Sequence, residues 1–258
     1  MSTMSPQIVS LVAPAKLTIS LKVTGVRADG FHLIDAEMVT LDLADELVVD
    51  PSRTGLEITG EFADDLAASV DTNYRNDNLV SRALQLAGRK AHVTVTKNIP
   101  SGGGLGGGSA DAAAILRWAG FTDLVAAAKL GADIAFCMIG GRARVSGIGE
   151  VVNPLKKIAR EITLVVPPFR VSTPAVYRAF DQLTDFGRTP IKHAGVNDLE
   201  LAAINVEPRL AIWKQKISQA AGVEPVLAGS GSTWWLDGKF EHLRAQLSDA
   251  TVVCTQTN

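Results

Sequence analysis

Over residues 13–24 the chain alternates: Leu17, Ile19, Leu21 and Val23 fall on one side, and Thr18, Ser20, Lys22 and Thr24 on the other, with Lys16 in phase with Thr18. A period of two predicts a half-buried strand with a polar face. A lysine there is ordinarily a solvated charge, and it gains chemical interest only if an anion site lies opposite. A turn-rich connection, Gly25-Val26-Arg27-Ala28-Asp29-Gly30, then delivers Phe31 beside His32. Strand-like runs recur at 38–43, 46–49 and 56–59, broken by Asp, Pro, Ser and Gly, which predicts an antiparallel meander. The period becomes helical at Leu79, Val80, Ala83, Leu84, Leu86 and Ala87, behind an Asn76-Asp77-Asn78 cap and ahead of Gly88.

A short strand at 91–97 follows, then helices at 110–119 and from a Thr122-Asp123 cap to Leu130-Gly131. Asp133 reads as the N-cap of a helix over 134–138. Residues 142–149 suggest strand and hairpin, with Arg144 solvated. The linker-like Asn153-Pro154-Leu155-Lys156-Lys157 places a domain boundary near residue 157, giving units 1–157 and 158–258. In the second unit Ser172-Thr173-Pro174 opens a helix with Tyr177 one turn in. Further helices are expected at 199–204, 208–220 and 240–247, and strands at 162–166, 225–227, 233–236 and 251–254. Helices layered on a short antiparallel sheet predict a ferredoxin-like α+β half, in which Trp213, Trp234 and Trp235 pack.

The stretch Lys97-Asn98-Ile99-Pro100-Ser101-Gly102-Gly103-Gly104-Leu105-Gly106-Gly107-Gly108-Ser109-Ala110-Asp111 joins a strand to a helix through six glycines in seven positions. Without side chains the backbone can turn its N–H groups inward, and a helix start adds unpaired donors, so this arrangement can hold phosphate. A flexible linker is the bland alternative, disfavoured by the flanking elements and the central Leu105. Gly102-x-Gly104-x-x-Gly107 matches a dinucleotide fingerprint by spacing alone, but it follows a hundred residues of mostly strand, and no acidic strand end comes after it. The lysine of a P-loop is missing, as are protein-kinase signatures. Ser109 at the helix start can cap the helix, or bind a phosphate oxygen or its magnesium ion.

With 47% hydrophobic and 20% charged residues the chain can bury a sizeable core. A formal charge of -2, from 25 basic and 27 acidic residues, gives neither nucleic acid nor a membrane surface an electrostatic footprint. No apolar run reaches membrane-spanning length and no signal core begins the chain, so a soluble, cytoplasmic protein is expected. Cys137 and Cys254 lack the spacing of a disulfide framework or zinc site.

These motifs together resemble the GHMP kinases. The likeness rests on Ala13-Pro14-Ala15-Lys16-Leu17, Thr24 to His32, Asn76-Asp77-Asn78-Leu79, the glycine stretch, Leu130-Gly131-Ala132-Asp133, Gly147-Ile148-Gly149-Glu150, Asn197-Asp198-Leu199-Glu200 and Gly229-Ser230-Gly231-Ser232-Thr233. Arg27-Ala28-Asp29-Gly30-Phe31-His32 points to the branch acting on a cytidylyl sugar alcohol. The resemblance implies an α+β, two-domain fold with a ribosomal protein S5 domain 2-like N-terminal half and a ferredoxin-like C-terminal half. It implies ATP and Mg2+, with Lys16 and Asp133 catalytic and Asn78, Lys97, Pro100, Gly102, Gly103, Gly104, Leu105, Gly106, Gly107, Gly108 and Ser109 on the ATP side. Ser109 would also be the metal contact.

On the acceptor side it implies Thr18, Phe31, His32, Tyr177, Gly229, Ser230, Gly231 and Ser232, with Phe31 and Tyr177 as stacking faces and His32 on the base edge. The partner is then a small-molecule substrate, with no nucleic acid and no membrane, and the chain a monomer or weak homodimer. Thr18, Phe31 and Ala135 stand where the family carries Asn, Tyr and Pro, and the stretch 119–130 is short. Kinases for mevalonate or homoserine, and a nucleotide-binding module without turnover, are the alternatives.

Overall fold

Two long strands set the frame. β1 (Val9–Val26) and β2 (His32–Asp50) pair antiparallel along nearly their whole length, with register shifts at Pro14/Lys16, Thr18/Ser20 and Val23/Gly25. The structure, a computed structural model, describes residues 7–63, 78–184 and 195–258. The runs at 38–43 and 46–49 are therefore one strand. Asp45 does not break it, because this fully buried carboxylate accepts hydrogen bonds from the N–H groups of Asn98 (2.6 Å) and Ile99 (2.8 Å). A buried charge survives in a strand when donors surround it.

The other edge of β2 carries two partners. β5 (Arg142–Gly147) pairs with its first part, and β4 (His92–Thr96) with its last. β3 (Gly55–Thr59) lies parallel to β4, which separates it from β2, so the predicted antiparallel meander fails there. β6 (Val151–Pro154) completes the sheet, so Asn153 and Pro154 belong to a strand rather than a linker. Arg144 is exposed, as expected, and its guanidinium also pairs with Asp35 across the sheet at 2.6 and 2.5 Å.

On this sheet lie α1 (Leu79–Leu86), α2 (Gly107–Trp118), α3 (Leu124–Leu130) and α4 (Ile134–Ile139). Asn78 caps α1 by accepting from the Val80 N–H at 2.8 Å, and Asp123 caps α3 by accepting from Ala126 at 3.0 Å. Asn76 and Asp77, the rest of the expected cap, lie outside the described residues.

The second sheet orders β7 (Glu161–Val166), β8 (Val226–Leu227), β9 (Trp234–Asp237) and β10 (Thr251–Gln256) as β10-β7-β9-β8, with every neighbour antiparallel. That 4-1-3-2 order is the ferredoxin-like arrangement. α5 (Thr173–Thr184), α6 (Glu200–Val206) and α7 (Arg209–Ala221) bridge β7 to β8. The helix expected at 240–247 contracts to a single turn, α8 (Leu243–Gln246), preceded by a tighter turn in which the N–H groups of Leu243 and Arg244 donate to the carbonyls three residues back, Phe240 and Glu241.

One apolar core runs through both sheets, from Leu21, Leu47 and Leu116 to Val165, Trp213 and Trp234. Trp213, Trp234 and Trp235 pack as expected, with Trp234 fully buried. Isolated bridges, Leu21 to Asn197 and Leu41 to Thr257, tie β1 and β2 to the second half. Among the described residues no helix is long and apolar enough to cross a membrane.

Candidate active site

The glycine tract is welded in place rather than loose. Leu105 is 1% exposed and packs in a cluster with Leu17, Ile99 and Leu164. Burying one leucine contributes about 1.5–3 kcal/mol, enough to offset the ordering of one or two glycine backbones. Its carbonyl accepts from the Lys16 N–H at 3.0 Å, and the Gly103 carbonyl accepts from the Thr233 N–H at 3.2 Å. The tract is thus clamped between β1 and the start of β9. Gly104 has φ +78°, and a Cβ there would stand 2.9 Å from the Gly231 carbonyl oxygen, so only glycine fits.

Along the tract runs a cleft of about 210 Å3, reached by Asn78, Lys97, Pro100, Gly102 and Gly104 through Gly108. α2 starts at Gly107 with Gly106 as its N-cap and no side-chain cap bond, so its first N–H groups and positive end face the cleft. Ser109 is not the cap. It stands on the first turn of α2, half-buried and outside the cleft lining, while Gly103 is buried behind the tract.

Beneath this cleft Lys97 is 3% exposed, its ammonium donating to Asp45 and, at 2.6 Å, to Asp111. Burial works against that ammonium, but the carboxylates of Asp111 and Asp45 outweigh it and raise the Lys97 pKa. Asp45 is fully engaged with three donors, whereas Asp111 Oδ1 is buried without a partner. Burial pushes the Asp111 carboxyl up, to about 7, against the opposing pull of Lys97.

A second cleft, of about 520 Å3, opens on the other side of Gly104, which lines both. Here Lys16 Nζ sits 3.2 Å from Asp133 Oδ2 and donates to Thr18 Oγ1 at 3.3 Å. The two-residue repeat of β1 puts Lys16 and Thr18 on one face, as the pattern predicts, yet that face is buried: Lys16 is 6% exposed and Thr18 2%. Asp133 holds the N-cap position of α4 without making a cap bond, leaving its carboxylate to Lys16.

At the far end His32 Nε2 lies 2.6 Å from Asp181 Oδ1, and its ring lies 4.7 Å from that of Tyr177, inclined by 34°. Burial holds the Tyr177 hydroxyl above its usual range, so it stays protonated. Phe31 is exposed, under the Arg27 guanidinium at 5.6 Å. Gly229 and Ser230 line the cleft, with Ser230 Oγ 2.7 Å from Thr173 Oγ1. Gly231 and Ser232 do not: Gly231 packs on Leu227, and the buried Ser232 hydroxyl donates to the Phe169 carbonyl at 2.8 Å.

Sequence reasoning missed Asp45, Asp111 and Asp181. The first two carried a signal, an acid inside an apolar strand and another in an alanine-rich helix; Asp181 carried none. Asn197, quoted only as a motif residue, holds the Gly229 turn through Nδ2 bonds to the Leu227 (2.9 Å) and Gly229 (2.6 Å) carbonyls. Cys137 is buried, its thiol pushed up to about 12 by burial, so it offers no thiolate. Among the described residues no three His, Cys, Asp or Glu side chains cluster as a metal site.

Comparison with known proteins gives the family and the fold. The profile of the GHMP kinases N terminal domain matches residues 78–141, which hold the glycine tract and Asp133. The chain is 40% identical over 235 residues to 4-diphosphocytidyl-2-C-methyl-D-erythritol kinase of Paracoccus denitrificans (strain Pd 1222), covering 86% of this chain and 84% of that one. A crystal structure of 4-(cytidine 5'-diphospho)-2C-methyl-D-erythritol kinase superposes with TM-score 0.74 at 29% identity, covering 97% of this chain and 99% of the other. Mevalonate kinase of L. major shares the fold, with TM-score 0.68 at 12% identity over 100% of this chain and 98% of that one. The chain belongs to the GHMP kinases, in the family of the 4-diphosphocytidyl-2-C-methyl-D-erythritol kinases.

Proposed function

We propose that the protein transfers the γ-phosphoryl group of ATP to the 2-hydroxyl of 4-diphosphocytidyl-2-C-methyl-D-erythritol, in the methylerythritol phosphate route to isoprenoid precursors. The observation that carries this is the Lys16–Asp133 pair at 3.2 Å, one glycine away from the tract cleft. Phosphoryl transfer passes through a loose transition state, so catalysis is alignment and charge stabilisation. The tract N–H groups and the start of α2 meet the ATP phosphates. Lys16 stands between the two clefts, where it neutralises charge on the acceptor oxygen and the transferring phosphoryl group.

Asp133 takes the acceptor proton. A carboxylate is far too weak a base to ionise an alcohol beforehand, so the proton moves late, as the P–O bond forms. Lys97 meets ATP through its backbone and stem, since its ammonium is committed to Asp45 and Asp111. Mg2+, carried by the ATP phosphates, would lower their charge; of this chain's residues the Ser109 hydroxyl, on the first turn of α2 beside the cleft lining, would be its one protein contact.

The cytosine stacks against Tyr177, with Phe31 as the outer face and His32 on its edge; Thr18, Gly229 and Ser230 border the polyol. Gly231 and Ser232 support that turn from behind. We place the ATP-binding unit at 1–157 and the second unit at 158–258, supported by the first sheet ending at β6 and the second beginning at β7. The protein acts in the cytoplasm as a monomer or weak homodimer, without nucleic acid or membrane partners.

Mevalonate and homoserine have no base, and the tilted His32–Tyr177 pair speaks against them as acceptors. The test is ADP release from MgATP with the cytidylyl acceptor, mevalonate or homoserine. Turnover restricted to the cytidylyl acceptor is expected. ATP binding with no turnover on any acceptor would instead leave a nucleotide-binding module.

A further inference from the structure

Of the ionisable side chains lining the 520 Å3 cleft, one is left uncommitted by the described residues. Five of its lining residues can carry charge: Lys16, His32, Asp133, Arg178 and Asp181. Lys16 is paired with Asp133 at 3.2 Å, and His32 with Asp181 at 2.6 Å. Arg178 makes no hydrogen bond or ion pair with any described residue. It follows Tyr177 on α5, so the stacking ring and the uncommitted guanidinium come from consecutive positions of one rigid twelve-residue helix.

We propose that Arg178 binds the diphosphate of the acceptor, an inference that rests on the cytidylyl-acceptor reading above. A diphosphate presents oxygens that a guanidinium fork engages two at a time, and no other cation lining the cleft is left for them. Lys16 cannot serve both ends, because it is held under the glycine tract by Asp133 and Thr18. The diphosphate joins the base, at Tyr177, to the polyol, at Lys16. Arg178 borders the same cleft as both, so it can fix how far the reacting hydroxyl lies from the base. Arg178 is therefore a specificity residue for nucleoside diphosphate acceptors over uncharged nucleosides.

Calorimetric titration of the full chain, its ATP cleft filled with MgADP, with cytidine and with cytidine diphosphate tests this. The native protein is expected to bind the diphosphate roughly ten- to hundredfold tighter than cytidine, the range of one charge-assisted contact. Arg178→Gln should bring that ratio close to one while cytidine affinity holds, and Arg178→Lys should recover part of it. A merely structural role for Arg178 would weaken both ligands together and leave the ratio unchanged. An unchanged ratio in Arg178→Gln, with both ligands bound, overturns the assignment of Arg178 alone. Failure of the native protein to bind either ligand overturns the cytidylyl reading itself.

Discussion

Replacing Asp111 by Asn tests the charge arithmetic beneath the glycine tract. Three ionisable groups, Asp45, Lys97 and Asp111, share a dry site that carries one surplus negative charge when all are ionised. Asp45 is satisfied by Lys97 and two backbone donors, so the excess falls on Asp111, whose Oδ1 has no partner. Its pKa is pushed from 3.8 to about 7, mainly by burial. An acid with a raised folded-state pKa keeps its proton where the unfolded chain has lost it. Its contribution is therefore fully present below the unfolded value of 3.8 and is lost as pH rises towards about 7. At about 1.4 kcal/mol per pH unit, that interval amounts to on the order of 4 kcal/mol. Lys97 is held protonated across the same window and adds no slope.

Asparagine keeps an acceptor for the Lys97 ammonium and does not titrate. Urea unfolding of both proteins from pH 4 to pH 8 isolates Asp111, since the other groups cancel in the difference. Relative to Asp111→Asn, native stability should fall by a few kcal/mol between pH 4 and 7 and level off above. A difference independent of pH would show that Asp111 is ionised throughout, and the reasoning about surplus charge would be wrong.

Other substitutions address the clefts. Asp133→Asn should lower kcat by roughly a hundredfold or more, within the range of lost general-base catalysis, with KM for ATP nearly unchanged; near-native kcat would remove Asp133 from the proton transfer. His32→Ala should raise KM for the cytidylyl acceptor and spare KM for ATP in steady-state assays, so equal effects on both would contradict a base contact. Gly104→Ala forces a Cβ to 2.9 Å from the Gly231 oxygen at φ +78°, and should cost about 1–3 kcal/mol of stability in strain while raising KM for both substrates. Native KM values in a stably folded Gly104→Ala protein would show that the wall between the clefts is not rigid.

The elements that the sequence showed clearly are those whose signal is local. Asn78 and Asp123 cap their helices with bonds to residues two and three positions away, and the glycine tract announces itself by composition. What stayed hidden depends on partners far along the chain. Asp45 lies 52 positions from Lys97, and Asp181 lies 149 from His32, so no periodicity connects them. The same cause made Asp45 look like the end of a strand: a carboxylate breaks a strand only where nothing across the sheet donates to it. The parallel pairing of β3 with β4 was illegible for a related reason, because alternation specifies which face is buried but not which neighbour a strand takes.

The polar face of β1 links fold to chemistry. Alternation correctly put Lys16 and Thr18 together, but a half-buried strand should show that face to water, and here it lies under the glycine tract. Register shifts bracket the two residues, one between Pro14 and Lys16 and one between Thr18 and Ser20. Such irregularities re-aim side chains near active sites. A lone ammonium at 6% exposure would be costly, and Asp133, whose side chain is 30% exposed, offsets that cost while remaining open to the cleft. The pair thus settles two demands at once: Lys16 has a counter-ion in its buried position beside the tract, and the carboxylate stays on the side from which an acceptor hydroxyl would approach. Because the counter-ion and the proposed base are one residue, Asp133→Asn should lower stability as well as kcat, and Asp133→Glu, which retains the charge, should recover stability ahead of activity.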